Sequence, residues 1–291
     1  MLLHVAAAIC LSMAAARSPP KEFFGASAEG IDLEGIAVRL TLGPNGAEIS
    51  KNISYSYAGD ASSSFVLSNG SILAYSLVEY DTGYFTLFDD KIRKANRITS
   101  VDRTTSGFPA TKYVGYTLDA STIDTQKDLY HAVLVNFSSS AIHSRIKSFP
   151  HRESRRSEML SDQSLVTINL REHKIVGAVG VDGSFSGPLV VDNVHGLLTF
   201  GSETGCAIAS VDWKTGKQTC LIAPSGFYGL PMPIGGGVVA SDGFVSISQI
   251  EPPYHYSLIQ VDLGVNKSAP AARVIRNTTM PIALTALSIL K

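Results

Sequence analysis

Short runs of strand-forming residues alternate with polar turns along most of this chain of 291 residues. In the stretch Ala207–Ile222, apolar and β-branched residues lead into Asp212, a polar turn containing Gly216 follows, and a second strand-like run begins at Thr219. Comparable units, in which a strand-like run ends at an anchor residue before a turn, have their anchors at residues 42, 89, 136, 169, 212 and 262. The first and last anchors are 220 residues apart, so their mean spacing is 44 residues. Repeats of this length, with several short strands each, predict an all-β fold built from similar sheets.

A second kind of turn recurs at a nearly fixed distance before these anchors. Pairs of strand-like runs meet at x-Gly dipeptides, which supply the positive φ of a two-residue hairpin turn; these are Asn69-Gly70, His195-Gly196 and Asp242-Gly243. Each dipeptide precedes the next anchor by 17 to 20 residues, and a weaker turn is predicted at Asp119. Two turns in fixed order predict a four-stranded meander, the sheet that forms one blade of a β-propeller.

We therefore predict a single β-propeller of about six four-stranded blades over residues 33–291. The step from anchor 136 to anchor 169 is short, and residues 138–160 do not resemble a pair of strands. This predicts one degenerate blade that carries an exposed insertion at 138–160. The apolar run Ile282–Leu290 has the length of a strand, and we expect it to pair with N-terminal residues, because ring closure removes exposed sheet edges.

The N-terminal residues predict secretion. Residues 1–16 are mostly apolar and end in Ala14-Ala15-Ala16, which is typical of a signal peptide cleaved after Ala16; residues 17–32 then form an N-terminal extension. No later apolar stretch reaches the roughly 20 residues that cross a bilayer, so we expect no membrane span. Five N-glycosylation sequons agree with an extracellular glycoprotein, although Asn and Ser or Thr also crowd into turns; they begin at Asn52, Asn69, Asn136, Asn266 and Asn277.

The two cysteines outside the predicted signal peptide, Cys206 and Cys220, are a candidate disulfide. In a hairpin that turns near Gly216, Cys206 lies opposite residue 223 or 224, so the two sulfurs meet only if the hairpin contains a bulge or bend. Two free, buried cysteines are the alternative.

The charge of the chain argues against partners that attract by charge alone. Its 24 basic and 25 acidic residues give a net charge of −1, which excludes a general attraction to nucleic acid or to an anionic membrane. We expect a monomer that binds a protein, a glycan or a small molecule.

The segment L-V-T-I-N-L-R-E-H-K-I-V at Leu165–Val176 and the unit at Ala207–Ile222, with its D-W-K-T-G-K turn, resemble blades of the WD40/YVTN or quinoprotein-like β-propeller group. The resemblance implies the fold. It departs from a regular WD40 array because no W-D dipeptide closes a strand and no G-H pair opens a blade. The group includes scaffolds, ligand binders, lactonases and dehydrogenases, so the resemblance leaves the function open.

Few residues suggest a site. Asp81-Thr82-Gly83 matches the loop of an aspartic protease, but those enzymes need two such loops, and we interpret it as a turn. No two histidines have metal-ligand spacing beside carboxylates. Phe227, Tyr228 and Met232 precede a run of glycines and form a candidate ligand contact beside the central channel; filling a gap between blades is the alternative.

Two functional hypotheses follow. The first is a secreted β-propeller that binds a protein, glycan or small ligand across one ring face, without catalytic residues or a cofactor. The alternative is a secreted hydrolase of lactonase type, with Ca²⁺ held at the central channel by oxygen ligands from several blades, which need no local motif. Convergence of three or more Asp, Glu or Asn side chains at the channel mouth would favour the hydrolase.

Overall fold

The computed structural model describes residues 17–29, 34–56, 60–66, 71–79, 82–89, 94–102, 116–136, 163–169, 171–172, 174–181, 188–202, 206–223, 237–251, 255–265 and 272–290. The regular structure in these ranges consists of twenty β-strands. The predicted all-β class is therefore confirmed.

The described strands form five four-stranded antiparallel sheets. Blade 1 contains β4 (Asp60–Val66), β5 (Ile72–Glu79), β6 (Thr82–Asp89) and β7 (Lys94–Asp102). Blade 2 contains β8 (Tyr116–Asp124), β9 (Leu129–Asn136), β10 (Gln163–Asn169) and β11 (Lys174–Gly180). Blade 3 contains β12 (Leu189–Asp192), β13 (Gly196–Ser202), β14 (Cys206–Val211) and β15 (Gln218–Ile222). Blade 4 contains β16 (Val238–Ser241), β17 (Phe244–Glu251), β18 (His255–Asp262) and β19 (Arg273–Met280). The closing blade contains β20 (Ala286–Ile289), β1 (Glu22–Glu29), β2 (Glu34–Gly43) and β3 (Gly46–Ser56), in that spatial order.

The first strands of the sheets form a closed ring. Strands β4, β8, β12 and β16 each contact the next, and β20 contacts both β16 and β4. Five meanders arranged radially around their first strands are a β-propeller. The predicted propeller is confirmed, but the prediction of about six blades is wrong, because the described sheets number five.

The miscount has a specific origin. Anchors 42, 89, 169, 212 and 262 lie at the end of the third strand of each sheet, whereas Asn136 ends β9, the second strand of blade 2. The short step from 136 to 169 is therefore the connection between two strands of one blade, not a degenerate blade. The predicted insertion at 138–160 falls in this connection, outside the described residues.

The turn predicted at Asp119 is also wrong. Asp119 lies inside β8, where the pairing with β9 shifts register between Leu118 and Ala120. The turn comes later, at residues 125–128, and Asp128 adopts a positive φ of 53° there. Asp119 is polar and interrupts the alternation of apolar and polar residues in β8. A residue in a bulge and a residue in a turn give the same pattern, so the sequence alone did not separate the two cases.

Ring closure by the C-terminal run is confirmed. Strand β20 pairs with β1, with Phe23 opposite Ile289 and Ala26 opposite Ala286. Strand β1 lies within the predicted N-terminal extension, so the propeller includes residues before 33. The inner position of this blade is thus filled from one part of the chain and its three outer positions from another, so that β1 is paired on both sides, with β20 and with β2.

The core consists of apolar faces packed between neighbouring blades. Leu198 and Phe200 of blade 3 pack against Val245 and Ile259 of blade 4, and all four side chains are nearly inaccessible to solvent. A second cluster joins blade 4 to the closing blade and contains Phe23, Leu40, Leu258, Leu284 and Leu287. At about 25 cal/mol per Å² of apolar surface removed from water, these contacts are the main force that holds the ring together.

The anchor residues cap the turns between third and fourth strands. Asn169 accepts hydrogen bonds from the backbone amides of Arg171 and Glu172, and Asp212 accepts one from Lys214. Asp262 accepts one from Gly264 in blade 4. A short side chain that reaches its own turn explains why the repeat ends in Asn or Asp in three blades.

Candidate binding cavity between two blades

A cavity of about 290 Å³ lies between blades 2 and 3. It opens on the ring face that carries the turns from first to second strand and from third to fourth strand. Blade 2 contributes the end of β8 and the start of β9, and blade 3 contributes the ends of β12 and β14 and the start of β15. Besides Trp213, its polar wall residues are Asp124, Lys127, His131, His195, Ser210, Asp212 and Thr219.

Asp192 and His195 form a fixed pair at the blade 3 wall. One carboxylate oxygen of Asp192, Oδ2, accepts the backbone amide of His195 at 2.9 Å and lies 2.8 Å from the ring nitrogen Nδ1. The other oxygen, Oδ1, accepts the backbone amide of Gly243 in blade 4 at 2.9 Å. The carboxylate is almost completely buried. Three hydrogen bonds therefore fix its position and, through Nδ1, the orientation of the imidazole ring.

The second ring nitrogen of His195, Nε2, is a buried atom without a partner among the described residues. The side chain is 1% exposed, and within the described residues its Nε2 atom has no hydrogen-bond partner. Because a carboxylate only accepts, Nδ1 carries the hydrogen of its contact with Asp192. Leaving a buried polar atom such as Nε2 unpaired costs about 1–3 kcal/mol. The atom is inaccessible to solvent, so it does not face the open cavity.

The charge of Asp124 in the opposite wall is already neutralised. Its carboxylate accepts the backbone amides of Gln126 and Lys127, each at 3.1 Å, and the ammonium of Lys127 at 2.8 Å. The carboxylate is buried while Lys127 extends into solvent, with 66% of its side chain exposed. The pair closes the turn between β8 and β9 and presents a rim with no net charge.

His131 is an uncharged part of the same wall. It is 2% exposed, and its Nδ1 lies 2.9 Å from the hydroxyl of Thr167. Burial lowers its pKa from 6.5 to about 4; the Asp124 carboxylate acts against this and Lys127 adds to it. The ring is therefore neutral near pH 7, and it lies 6.1 Å from the ring of Trp213.

The hairpin around Trp213 holds the two walls together. A Cβ atom at Gly177 of blade 2 would lie 3.1 Å from the indole, and one at Gly216 would collide with the carbonyl oxygen of Gly180. Gly216 also has a φ of +74°, which L-residues rarely adopt. The D-W-K-T-G-K turn that is so prominent in the sequence therefore docks blade 3 onto the outer strand of blade 2.

Arg17, which precedes β1, binds to blade 4 on the same face of the ring. Its guanidinium donates to the carbonyl of Asp242 at 2.6 Å and to the carboxylate of Asp262 at 2.7 Å, and it lies 4.7 Å from the ring centre of Phe244. Burial raises the pKa of Asp262, but the Gly264 amide and Arg17 lower it more, so its pKa is below the ordinary value. Residue 17 is the first residue after the predicted cleavage site, and here it is bound to the propeller.

The predicted disulfide is present in the structure. Cys206 and Cys220 are bonded, with their Cα atoms 5.6 Å apart. The pairing of β14 with β15 shifts register between Ile208 and Ala209. The hairpin thus contains a bulge, one of the two irregularities that the sequence analysis named.

Most of the other predicted site residues lie outside the described residues. Phe227, Tyr228 and Met232 lie in 224–236, outside the described residues, and so do Asn69 and Asn266. Asn52 lies in β3, Asn136 ends β9, and Asn277 is exposed in β19. Glycosylation and the aromatic ligand contact remain predictions.

The metal prediction also remains untested. Within the described ranges, no group of three or more His, Cys, Asp and Glu side chains is placed to hold a metal ion. The described residues contain no helix of the length and hydropathy needed to cross a membrane.

The chain matches no protein-family model and no curated protein. Similar solved structures include TolB from Acinetobacter baumannii, at 9% identity and a TM-score of 0.44, with 96% of this chain and 58% of that chain covered. BamB from Moraxella catarrhalis shows 9% identity and a TM-score of 0.35, with 88% and 64% covered. A candidate 6-phosphogluconolactonase from Bacteroides fragilis shows 8% identity and a TM-score of 0.44, with 92% and 97% covered. The chain thus spans little more than half the length of TolB. These similarities concern the fold alone, and the closed ring of four-stranded sheets confirms the fold-level resemblance to β-propellers that the sequence indicates.

Proposed function

We propose that the protein is a secreted β-propeller binding module that holds a small ligand, or one unit of a larger one, between blades 2 and 3. The observation that carries the proposal is the cavity itself, whose wall combines the hydroxyls of Ser210 and Thr219 with His195, a residue fixed by Asp192. The cavity volume of about 290 Å³ lies just below the roughly 300–1,000 Å³ of typical ligand pockets. A single small molecule fits this space.

A purely structural role accounts for only part of the Asp192–His195 pair. The bond from Asp192 to the Gly243 amide joins blade 3 to blade 4, and it needs a carboxylate but no histidine. The histidine adds a second nitrogen that no described residue uses. His195 also borders the cavity, so the pair joins the wall of the cavity to the contact between blades 3 and 4.

The secreted location is supported by the disulfide. A bond between Cys206 and Cys220 fits an oxidising compartment. It adds to the predicted signal peptide and the five sequons. Mass spectrometry of secreted material, before and after glycan removal, should show an N-terminus at Arg17 and a mass loss on deglycosylation.

The cavity is tested by filling it. Thr219 lies in the cavity wall on the exposed side of β15, so T219W should occupy the space without disturbing the core. Thr279 is exposed in β19, far from the cavity, and T279W is the matched control. A library of small neutral and charged compounds is screened by saturation-transfer NMR. We expect at least one compound to bind the parent and T279W but not T219W.

The proposal is overturned if no compound binds in a manner that T219W abolishes while both variants keep the parent melting temperature. Calcium added to the same samples tests the lactonase alternative. A rise in melting temperature with calcium, together with lactone hydrolysis, would favour the hydrolase over the binding module.

A further inference from the structure

We infer that residues 17–21 occupy a peptide-binding site on blade 4, and that an extended peptide with an arginine three positions before a proline can take their place. We call this segment the strap. The site is separate from the cavity between blades 2 and 3, so the inference does not rest on the proposed function. It follows from the contacts of Arg17, the contact of the strap backbone with blade 4, and the conformation of the strap.

The first feature is a seat for an arginine side chain. The guanidinium of Arg17 donates to the carbonyl oxygen of Asp242 at 2.6 Å and to the carboxylate of Asp262 at 2.7 Å. It also lies 4.7 Å from the ring centre of Phe244, which is buried. A guanidinium donates in several fixed directions and stacks on aromatic rings, whereas an ammonium is a compact point charge. The seat therefore selects arginine.

The turn between β16 and β17 shapes this seat. A Cβ atom at Gly243 would lie 2.6 Å from Arg17 Nη1 and 2.3 Å from the carbonyl oxygen of Gly264. Gly243 has a φ of +78°, which glycine adopts without strain. Arg273 approaches the Asp262 carboxylate only to 3.8 Å and is largely exposed, so it does not replace the direct bond from Arg17.

The second feature is a contact to the backbone of the strap. The carbonyl oxygen of Pro20 accepts a hydrogen bond from Gln260 Nε2 at 2.8 Å. Gln260 lies in β18 and is buried, and its Nε2 is also 3.3 Å from the hydroxyl of Ser246. A buried amide that donates to a carbonyl outside its own sheet suits a peptide, because every residue of a peptide supplies a carbonyl.

The third feature is the conformation of the strap. It precedes β1, and no strand is assigned to residues 17–21. Its prolines, Pro19 and Pro20, have no backbone amide and favour the polyproline II conformation, which loses little entropy on binding. On blade 4 the strap is held by one side chain and one carbonyl, not by a ladder of backbone bonds. A free peptide that carries the same groups can make the same contacts.

The test empties the site in the full chain and supplies the strap as a free peptide. The variant R17G/P19G/P20G removes the arginine and both prolines. The probes are acetyl-Arg-Ser-Pro-Pro-Lys-amide, called the arginine peptide, and acetyl-Ala-Ser-Pro-Pro-Lys-amide, called the alanine peptide. Binding is measured from the amide resonances of Gly243 and Gly264 and from the melting temperature. R171A is the matched control, because Arg171 is an exposed arginine paired with Asp128 on blade 2.

We expect the arginine peptide to bind the triple variant, to move both glycine resonances and to raise the melting temperature. The alanine peptide should bind at least about 10-fold more weakly, because it lacks the guanidinium contacts. The parent and R171A should also bind the arginine peptide at least about 10-fold more weakly than the triple variant, because their own straps occupy the site at a high effective concentration.

R17A tests the seat if the triple variant fails to fold. Ethylguanidinium at millimolar concentration should raise the melting temperature of R17A relative to its effect on the parent and on R171A, and ethylammonium should raise it less. The inference is overturned if the arginine peptide binds the triple variant no better than the parent, or if the alanine peptide binds equally well. Where only R17A folds, equal effects of ethylguanidinium on R17A and R171A overturn it. These results leave the cavity between blades 2 and 3 untouched, because T219W tests that cavity separately.

Discussion

Acid should destabilise this protein through His131. The ring is 2% exposed, and burial lowers its pKa in the folded state to about 4, against 6.5 in the unfolded chain. Between these values the unfolded chain binds a proton that the folded chain resists, so the contribution to stability is fully present above pH 6.5 and is lost as the pH falls toward and through 4. A difference of this size corresponds to about 3 kcal/mol in total, of which about 2 kcal/mol is lost by pH 5.

The assay is urea unfolding at pH 7.5, 6 and 5 for the parent, H131N and H255N. Asparagine keeps a polar atom near Thr167 Oγ1 but does not titrate, so H131N should be less stable than the parent at pH 7.5 and lose about 2 kcal/mol less between pH 7.5 and 5. H255N removes an exposed histidine and should follow the parent at every pH. If the parent and H131N lose the same stability between pH 7.5 and 5, the reasoning about His131 is refuted.

Three further predictions concern the joints of the ring and are each measured by chemical or thermal unfolding. G216A should destabilise the protein by about 2–4 kcal/mol, because a methyl group there combines a positive φ with a collision against Gly180, whereas G180A, with open space around it, should be nearly neutral. Reduction of the Cys206–Cys220 disulfide, which spans 14 residues, should cost about 3 kcal/mol, and unchanged stability after reduction would contradict this. R17A should cost about 2 kcal/mol by removing two hydrogen bonds and a cation–π contact, with R17K intermediate; equal stability of all three proteins would show that Arg17 does not brace the ring.

The parts of the fold that could be predicted are the turns whose conformation depends only on neighbouring residues. Asp242-Gly243 was predicted as a two-residue hairpin turn, and both residues have positive φ, 56° and 78°. Asn169, Asp212 and Asp262 mark turns because each side chain binds the amides that follow it. The blade count failed at Asn136, since a strand that ends in Asn looks the same whether it is second or third in its sheet. Only the long-range pairing of β9 with β10 makes that distinction.

The candidate site was hidden because its residues are spread over two blades. The sequence predicts His195 only as a residue of a hairpin turn, yet its side chain is buried against Asp192. The spacing Asp-x-x-His at the end of a predicted strand is the one signal that was present, because a carboxylate at that position can accept both the amide and the ring of the histidine. Nothing local indicates that His131, 64 positions earlier in the chain, borders the same cavity.

The way the ring is closed affects how the protein can be made. Thr285 donates to the carbonyl of Ala26, 259 residues earlier in the chain, and β20 completes the sheet that β1 begins. During synthesis β1 to β3 therefore emerge before the other described strands. The inner edge of β1 stays unpaired until β20 has been synthesised. Such an edge is open to pairing with other chains, and loop-closure entropy slows contacts of this separation. We expect folding to depend on factors that shield this early edge more than on the speed at which any single blade forms.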